Sequence, residues 1–442
     1  MSERQSLAGS LKLICSGFRH QHAAFILTCI YLIFEYNRPQ QVYPVLNFLP
    51  WGKVLLLLGA LFAFADRDTG APPAQAVRPM SLFAVCVLLS TLFAFSPGTA
   101  VNDWMMFFSW MFVVLLLTSV VNSRSRLFLF MTVYFLANLK MAQHGFRSWA
   151  MGGFGFSGWG VTGSPGWFQN SGEFSLQMVV FLPLVFSYIA FFRRRWSVGV
   201  RLFFYLLAVM AVGSIIASGS RGAILGLAMV GLWCLLFSRQ RVKALILVVL
   251  LGILISLVMP AGFKARFDTV GKDKTSLARL TYWQAGVSAV GKHPWTGVGF
   301  RNWTVWVRDE HPELMKKVGT TLHAEVIHNT YLEAAVELGL PGLAVYLLLL
   351  LQVFFSNLKT ARVARLLDDR FLESTARGLN GGLLGFLAPS YFMSVLYYPY
   401  VWMFLVLSVS CSVVCGRMSR EKRLAAAPAM AAGSVPGGRG VV

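Results

Sequence analysis

Polar sequence is what this chain lacks. Only 13% of its 442 residues are charged, 56% are hydrophobic, and the mean hydropathy is +0.63. One long polar segment breaks the pattern, roughly 261–330. Cysteine is scarce as well. Cys15, Cys29, Cys86, Cys234, Cys411 and Cys415 lie in or beside apolar runs or on basic links, and none is spaced with histidine as a metal site requires. Neither a disulfide framework nor a zinc site is expected. No cleavage site of the A-x-A type follows the first apolar run, so no removable signal peptide is expected.

Acidic residues are few, 18 against 39 Lys and Arg, which leaves a net charge of +21. Such a balance suggests nucleic acid, but its distribution argues otherwise. Most of the basic residues sit in short links between apolar runs, where they set membrane topology rather than build a binding face. No nucleic-acid partner is expected.

What the chain has in quantity is apolar runs. Stretches of about 18 nearly uncharged residues are too long for ordinary core helices, and a bilayer-spanning backbone must satisfy its own hydrogen bonds. The pattern predicts an all-α integral membrane protein with about twelve transmembrane helices. They fall near 22–36, 48–64, 79–95, 102–121, 126–141, 174–192, 199–217, 220–238, 243–261, 336–356, 379–395 and 397–416. Basic residues gather in both tails and in the links after the even-numbered spans. That places both termini in the cytoplasm and the protein in a bacterial inner membrane.

The chain then divides in four. Residues 1–261 hold nine spans and a Gly- and aromatic-rich external loop at 142–173. Residues 262–335 form a large, partly helical periplasmic loop, since long loops translocate largely regardless of charge. Residues 336–416 hold the last three spans, and 417–442 form a disordered cytoplasmic tail. Within the large loop, Ser276–Val290 has helical spacing. Its stripe of Leu277, Leu280, Trp283 and Val287 suits a helix lying on the membrane surface. The 142–173 loop is either an interfacial aromatic belt or a lid offering flat rings to a sugar or lipid.

The polar segment closes on His323-Ala-Glu-Val-Ile-His328-Asn-Thr-Tyr-Leu-Glu333, just before the apolar run Leu338–Phe355. This is not a metalloprotease box. The histidines are five apart, about 140° round a helix, and Glu325 falls one place late. Without a metal, His328 is either a general base or an interfacial cap of span ten, its ordinary pKa of ~6.5 suiting proton removal near neutrality. Arg221 opens a span on the outer side, where a helix N-terminus and a guanidinium together favour an anion; snorkelling is the alternative. Glu173 and Asp103 suit helix starts. Lys140 and Arg147 flank the glycine-rich loop.

Arg221, Arg279 in the large loop, and His328-Asn329-x-Tyr331-Leu332-Glu333 leading into Leu338-Gly-x-Pro341-Gly342 together resemble the O-antigen ligase and polymerase superfamily of bacterial envelopes. The likeness covers the topology and the stretch from about Asn170 to Ala344. It implies a metal-independent glycosyltransferase of the GT-C type that needs no cofactor. Such an enzyme takes a glycan from undecaprenyl pyrophosphate at the periplasmic face and passes it to a lipid A–core hydroxyl. Two arginines and a histidine are essential in the family, and they match Arg221, Arg279 and His328. Asn329, Tyr331, Glu333 and His323 would support the base, and Lys140 and Arg147 the donor. Three other readings stay open: a polymerase of lipid-linked repeats, including exopolysaccharide systems; a protein-glycosylating ligase; and a transporter of lipid-linked glycan, which ought to line the midplane with charge.

Overall fold

A computed structural model describes residues 7–155, 160–237, 241–258, 274–318 and 321–432. Parts of the 142–173 loop, of the large loop and of the tail therefore lie outside the described residues, as does the side chain of His323. The helices in chain order are α1 (Leu7–Arg19), α2 (Ala23–Asn37), α3 (Pro39–Val42), α4 (Trp51–Ala65), α5 (Ala74–Leu92), α6 (Pro97–Val120), α7 (Arg124–Met151) and α8 (Ser171–Phe192). They continue with α9 (Val198–Ala217), α10 (Arg221–Phe237), α11 (Arg241–Val258), α12 (Lys274–Lys292), α13 (Trp303–Glu310), α14 (Thr330–Leu366), α15 (Arg370–Ser390) and α16 (Pro399–Ala432).

The protein is an all-α multi-pass membrane protein. Each expected span falls on a helix. Among the described residues, six helices are long and apolar enough to cross a bilayer, and α2, α4 and α10 are apolar but shorter. The large loop also carries a hairpin absent from the sequence reading, Lys316–Val318 paired antiparallel with Thr321–His323.

Several boundaries move. The eleventh span was placed at 379–395, yet its helix α15 runs from Arg370 to Ser390. Glu373 looked like a link residue but is salvaged by Arg365 and Arg377, each 3.0 Å away, so the helix starts earlier. Residues 391–398 become a turn between α15 and α16 instead of span. Helix α7 runs to Met151, so the glycine-rich loop begins about ten residues later than expected. Asp103 does not cap its span: Pro97 starts α6 six residues earlier, and Asp103 pairs with Arg301 instead. The tail is helical to Ala432 rather than disordered from 417, because Leu424-Ala-Ala-Ala has high helix propensity.

Helix α15 is the hub. It is buried from Phe371 to Phe386 and packs closely on α8, α10 and α14. A Cβ on Gly382 would lie 2.5 Å from the Val180 carbonyl oxygen, so only glycine allows this α8–α15 approach. Helix α14 is broken. Gly339 has φ +72° and ψ 178°, and Pro341 offers no N–H. The break frees backbone groups that a bilayer would leave unpaired, and other segments take them. Val336 O accepts from Val298 N (2.8 Å), Glu337 O from Ser90 Oγ (2.5 Å), and Leu340 N donates to Pro294 O (2.8 Å). The break is thus the seat on which residues 294–302 rest.

Replacing Gly339 by Ala adds a Cβ 2.5 Å from the Trp295 carbonyl carbon at a left-handed backbone position. It is expected to cost about 2–4 kcal/mol, read as a lower unfolding temperature of the purified protein in detergent. Gly98→Ala, whose Cβ meets open space, should leave that temperature within about a degree, as for a neutral surface change.

Candidate functional site

The site is assembled at one end of the bundle, around the turn between α15 and α16. Asn329 begins α14 by capping it: its Oδ1 accepts from Tyr331 N (3.1 Å) and Leu332 N (3.0 Å). Thr330 Oγ1 donates to Met393 O (2.6 Å) and accepts from Val395 N (3.1 Å). Tyr331 OH donates to Leu387 O (2.8 Å) and accepts from Ser390 Oγ (3.0 Å). Glu333 is buried, and its Oε2 accepts from Leu396 N (3.4 Å). Of the residues singled out in sequence, Asn329 caps α14, while Tyr331 and Glu333, with Thr330 beside them in the first turn, stitch the start of α14 to residues 387–396.

His328 precedes them in a left-handed conformation, φ +56°. A non-glycine residue held there stores about 1 kcal/mol or more, sustained only by its surroundings. Those surroundings grip the backbone on three sides. Trp303 Nε1 donates to Glu325 O (2.9 Å), Trp283 Nε1 to Ile327 O (3.0 Å), and His328 N to Ser394 Oγ (3.0 Å). The imidazole itself is about a third exposed, with Nε2 3.9 Å from a Glu325 carboxylate oxygen. Its ring is thus partly exposed while its backbone is fixed.

Arg221 is the first residue of α10. Its neighbour Gly222 lies against Met393, whose Cε would sit 3.4 Å from a Cβ there and 3.3 Å from one on Gly172 at the start of α8. Arg279 sits one turn before Trp283 on α12. Trp283 packs on Tyr391 (ring centroids 5.3 Å) and Phe392 (6.2 Å), which docks that face of α12 on the same turn. The Arg279 charge acts on the Glu173 carboxyl in the first turn of α8, where Asn170 is the cap. Arg221, Arg279 and His328, far apart in sequence, are thus carried by elements that pack on the Tyr391–Ser394 turn: Arg221 beside Gly222, Arg279 one turn from Trp283, and His328 directly through its N–H. The expected apolar stripe of α12 turns outward at Leu277, Leu280 and Val287, while Tyr282, Ala285 and Ala289 face the protein.

Lys140 and Arg147 are placed differently. They are exposed on one face of α7 with His144 between them, and no described contact joins them to the 387–398 cluster. His323 lies on its strand, paired with Lys316. The described part of the glycine-rich loop is pinned. Trp167 donates to Glu35, lies under Arg38 (5.3 Å) and packs on Tyr398 (5.0 Å), while Phe168 is fully buried. Trp167 thus borders the 387–398 cluster at Tyr398, while Phe168 packs inside the bundle.

Sequence reasoning missed Arg301. It lies in Gly297-Val-Gly-Phe-Arg301, also left-handed at φ +56°. Its backbone N donates to Glu337 Oε2 (3.2 Å), its Nε to Asp103 Oδ2 (3.3 Å), and its guanidinium lies over Tyr397 (5.7 Å). Tyr397 OH donates to the same Glu337 oxygen (2.8 Å). Burial works against the Arg301 charge, but Glu337, Tyr397, Glu333 and Asp103 outweigh it and hold the guanidinium well above its ordinary pKa. A signal was present: Glu333 and Glu337, one turn apart at the edge of a membrane helix, require a cation.

Residues 206–347 match the family model described as O-antigen ligase. Arg221, Arg279, Arg301 and His328 all fall inside that O-antigen ligase region, so the likeness read from the motifs holds there. The chain is also 33% identical over 132 residues to the exopolysaccharide production protein ExoQ of Rhizobium meliloti, covering 29% of each chain. It is 27% identical over 179 residues to an uncharacterised protein of Haemophilus influenzae, 36% of this chain and 45% of that one. The matches span less than half the length of either relative.

Arg301→Met should leave Glu337 buried without its cation and cost about 3 kcal/mol. Combining it with Glu337→Gln should recover at least about 1 kcal/mol through coupling of the pair. Unfolding temperatures of the four proteins in the cycle measure this; strictly additive losses would show that the two groups do not interact.

Proposed function

We propose that the protein is a lipid-linked polysaccharide ligase. The donor is a glycan on undecaprenyl pyrophosphate, and the acceptor is a hydroxyl of the lipid A–core oligosaccharide at the periplasmic face of the inner membrane. The observation that carries this reading is that Arg221, Arg279 and the backbone-held His328, all within the O-antigen ligase region, come from elements that pack on one turn, 391–394.

In this mechanism the arginines receive the pyrophosphate through bidentate, charge-assisted contacts. His328 accepts the proton of the acceptor hydroxyl. The oxygen then attacks the anomeric carbon from the face opposite the leaving group, and the configuration inverts. The bond from that carbon to the pyrophosphate oxygen breaks with its electron pair, and undecaprenyl pyrophosphate departs. Arg221 and Arg279 stabilise the charge that grows on it. The strained turn at His328 keeps the imidazole aimed without help from the substrate, which is preorganisation. Lys140 and Arg147 would meet the donor lipid further along the outer surface, outside the reacting cluster.

A polymerase joining two lipid-linked glycans is the second reading, favoured by the similarity to an exopolysaccharide production protein. Both readings share the chemistry and differ in acceptor. A transporter is disfavoured because the polar cluster crowds the outer end of the helices rather than their middle.

Purified protein given lipid-linked glycan and, in separate reactions, lipid A–core, a second lipid-linked glycan or a protein acceptor should form product with lipid A–core. Transfer only between lipid-linked glycans would move the assignment to a polymerase, and no transfer to any acceptor would sink the enzyme reading. His328→Ala should lower turnover about 100-fold or more. Arg221→Ala and Arg279→Ala should each lower it about 100-fold, with the protein still folded. Excess chelator should leave the rate unchanged.

A further inference from the structure

The opposite end of the same helices holds a second anion-binding constellation. A cavity of about 190 Å³ opens between the start of α7, the end of α8, the α14–α15 turn and the middle of α16. Its lining includes Arg124, Arg195 and Arg370 against Asp368 and Asp369, with Phe192, Leu367, Phe371 and Met418 as an apolar wall. Helix α8 runs from the candidate active site to this cavity. Its 22 residues span about 33 Å, the thickness of a bilayer core. The cavity therefore lies at the far membrane face from His328.

The two acids do not neutralise the three cations evenly. Asp369 is buried and already used: it caps α15 through Leu372 N (3.1 Å) and pairs with Arg124 (Nε to Oδ2, 2.5 Å). Arg124 is further held over the Phe371 ring (5.6 Å), so its guanidinium is fixed at the cavity edge with its side chain half exposed. Asp368 is exposed in a left-handed turn, φ +55°. Arg195 and Arg370 are exposed, and among the described residues neither is paired with a carboxylate. Three guanidiniums from three elements thus border a recess whose wall is apolar.

We propose that this recess binds the headgroup phosphate of an anionic glycerophospholipid of the leaflet opposite the active site. Arg195 and Arg370 take the phosphate oxygens in forked contacts, with Arg124 completing the cation cluster. One acyl chain runs along Phe192, Leu367 and Met418. A snorkelling arginine needs no cavity and no apolar wall; this arrangement has both, and it lies between helices where a lipid can enter from the side. Because α8, α14, α15 and α16 connect the recess to the site around Met393, an occupied recess also ties together the helices that carry the active site.

The test is thermal unfolding of the full chain in detergent with added phosphatidylglycerol, phosphatidylcholine, undecaprenyl pyrophosphate or inorganic phosphate. Phosphatidylglycerol is expected to raise the midpoint by about 3 °C or more, and the other three by less than a third of that. Arg195→Gln combined with Arg370→Gln should remove at least half of the rise. Met418→Trp, which fills the recess and leaves the charges in place, should do the same. An equal rise with phosphatidylcholine, or a full rise in both variants, overturns the site. An equal or larger rise with inorganic phosphate reassigns it to a free anion, and one with undecaprenyl pyrophosphate overturns the phospholipid assignment.

Discussion

Inside a bilayer a helix cannot stop hydrogen bonding to itself unless something else takes its carbonyls. Helix α14 does stop, at Gly339, and much of the outer architecture follows from what replaces those bonds. Ser90 on α5 takes one carbonyl, Val298 takes another, and Pro294 receives the amide of Leu340. The long polar segment is thereby anchored at a fixed height on the bundle. Once 294–298 is seated, Phe95 N finds Val298 O (2.8 Å) and Ser96 N finds Asn302 Oδ1 (2.6 Å), so the α5–α6 link joins the same platform. Arg301 emerges from that platform between Glu337 and Asp103. The carboxylates of α14 are tolerable at the membrane edge because the break delivers their cation.

The same platform explains how a histidine on a loop can be held as firmly as one on a helix. Trp303 follows directly from the seated segment, and its indole reaches Glu325 O. Trp283, from α12, reaches Ile327 O. Both donors bind backbone rather than side chains, so the sequence of 324–328 is left free while its path is fixed. The left-handed turn at His328 is the place where that path must bend to enter the Asn329 cap, and the strain is offset by the Ser394 contact and the cap itself. The segment's backbone path is thus set independently of the His328 imidazole, which stays about a third exposed.

How much of this was legible in the sequence follows from what each feature depends on. Apolar runs depend on composition alone, and each gave a helix close to its expected place. The start of α10 at Arg221 depends on local chemistry and was legible too, whereas the cap of α14 was looked for at His328 and falls on Asn329. Asp103 was misread because its partner, Arg301, lies 198 residues away in a loop without periodicity. The tether of Trp167 to Glu35, across 132 residues, was hidden for the same reason. Tyr331 and Asn329 were singled out as support for the base; their hydrogen bonds go to Leu387, Ser390 and the helix backbone. The Tyr391–Ser394 turn, where the elements meet, was taken for membrane span because Tyr-Phe-Met is apolar. Its importance lies in backbone groups, which every residue carries and no sequence displays.

On the proposed reading, this division of labour bears on the acceptor. Proton removal by an imidazole and departure of a pyrophosphate are the same for every hydroxyl, so Arg221, Arg279 and His328 cannot choose between acceptors. All three lie within residues 206–347, the portion shared with the O-antigen ligase family. The rim is built differently. Trp167, held by Glu35 and Arg38, and Asp103, held by Arg301, come from residues before that region and border the cluster at Tyr397 and Tyr398. A flat ring held by a carboxylate and covered by a guanidinium is suited to a sugar face, and none of the bonds that fix His328 passes through it. Acceptor choice is therefore best sought in the first 205 residues, where α2, α6 and the 160–170 segment set that rim, and not in the segment that carries the chemistry.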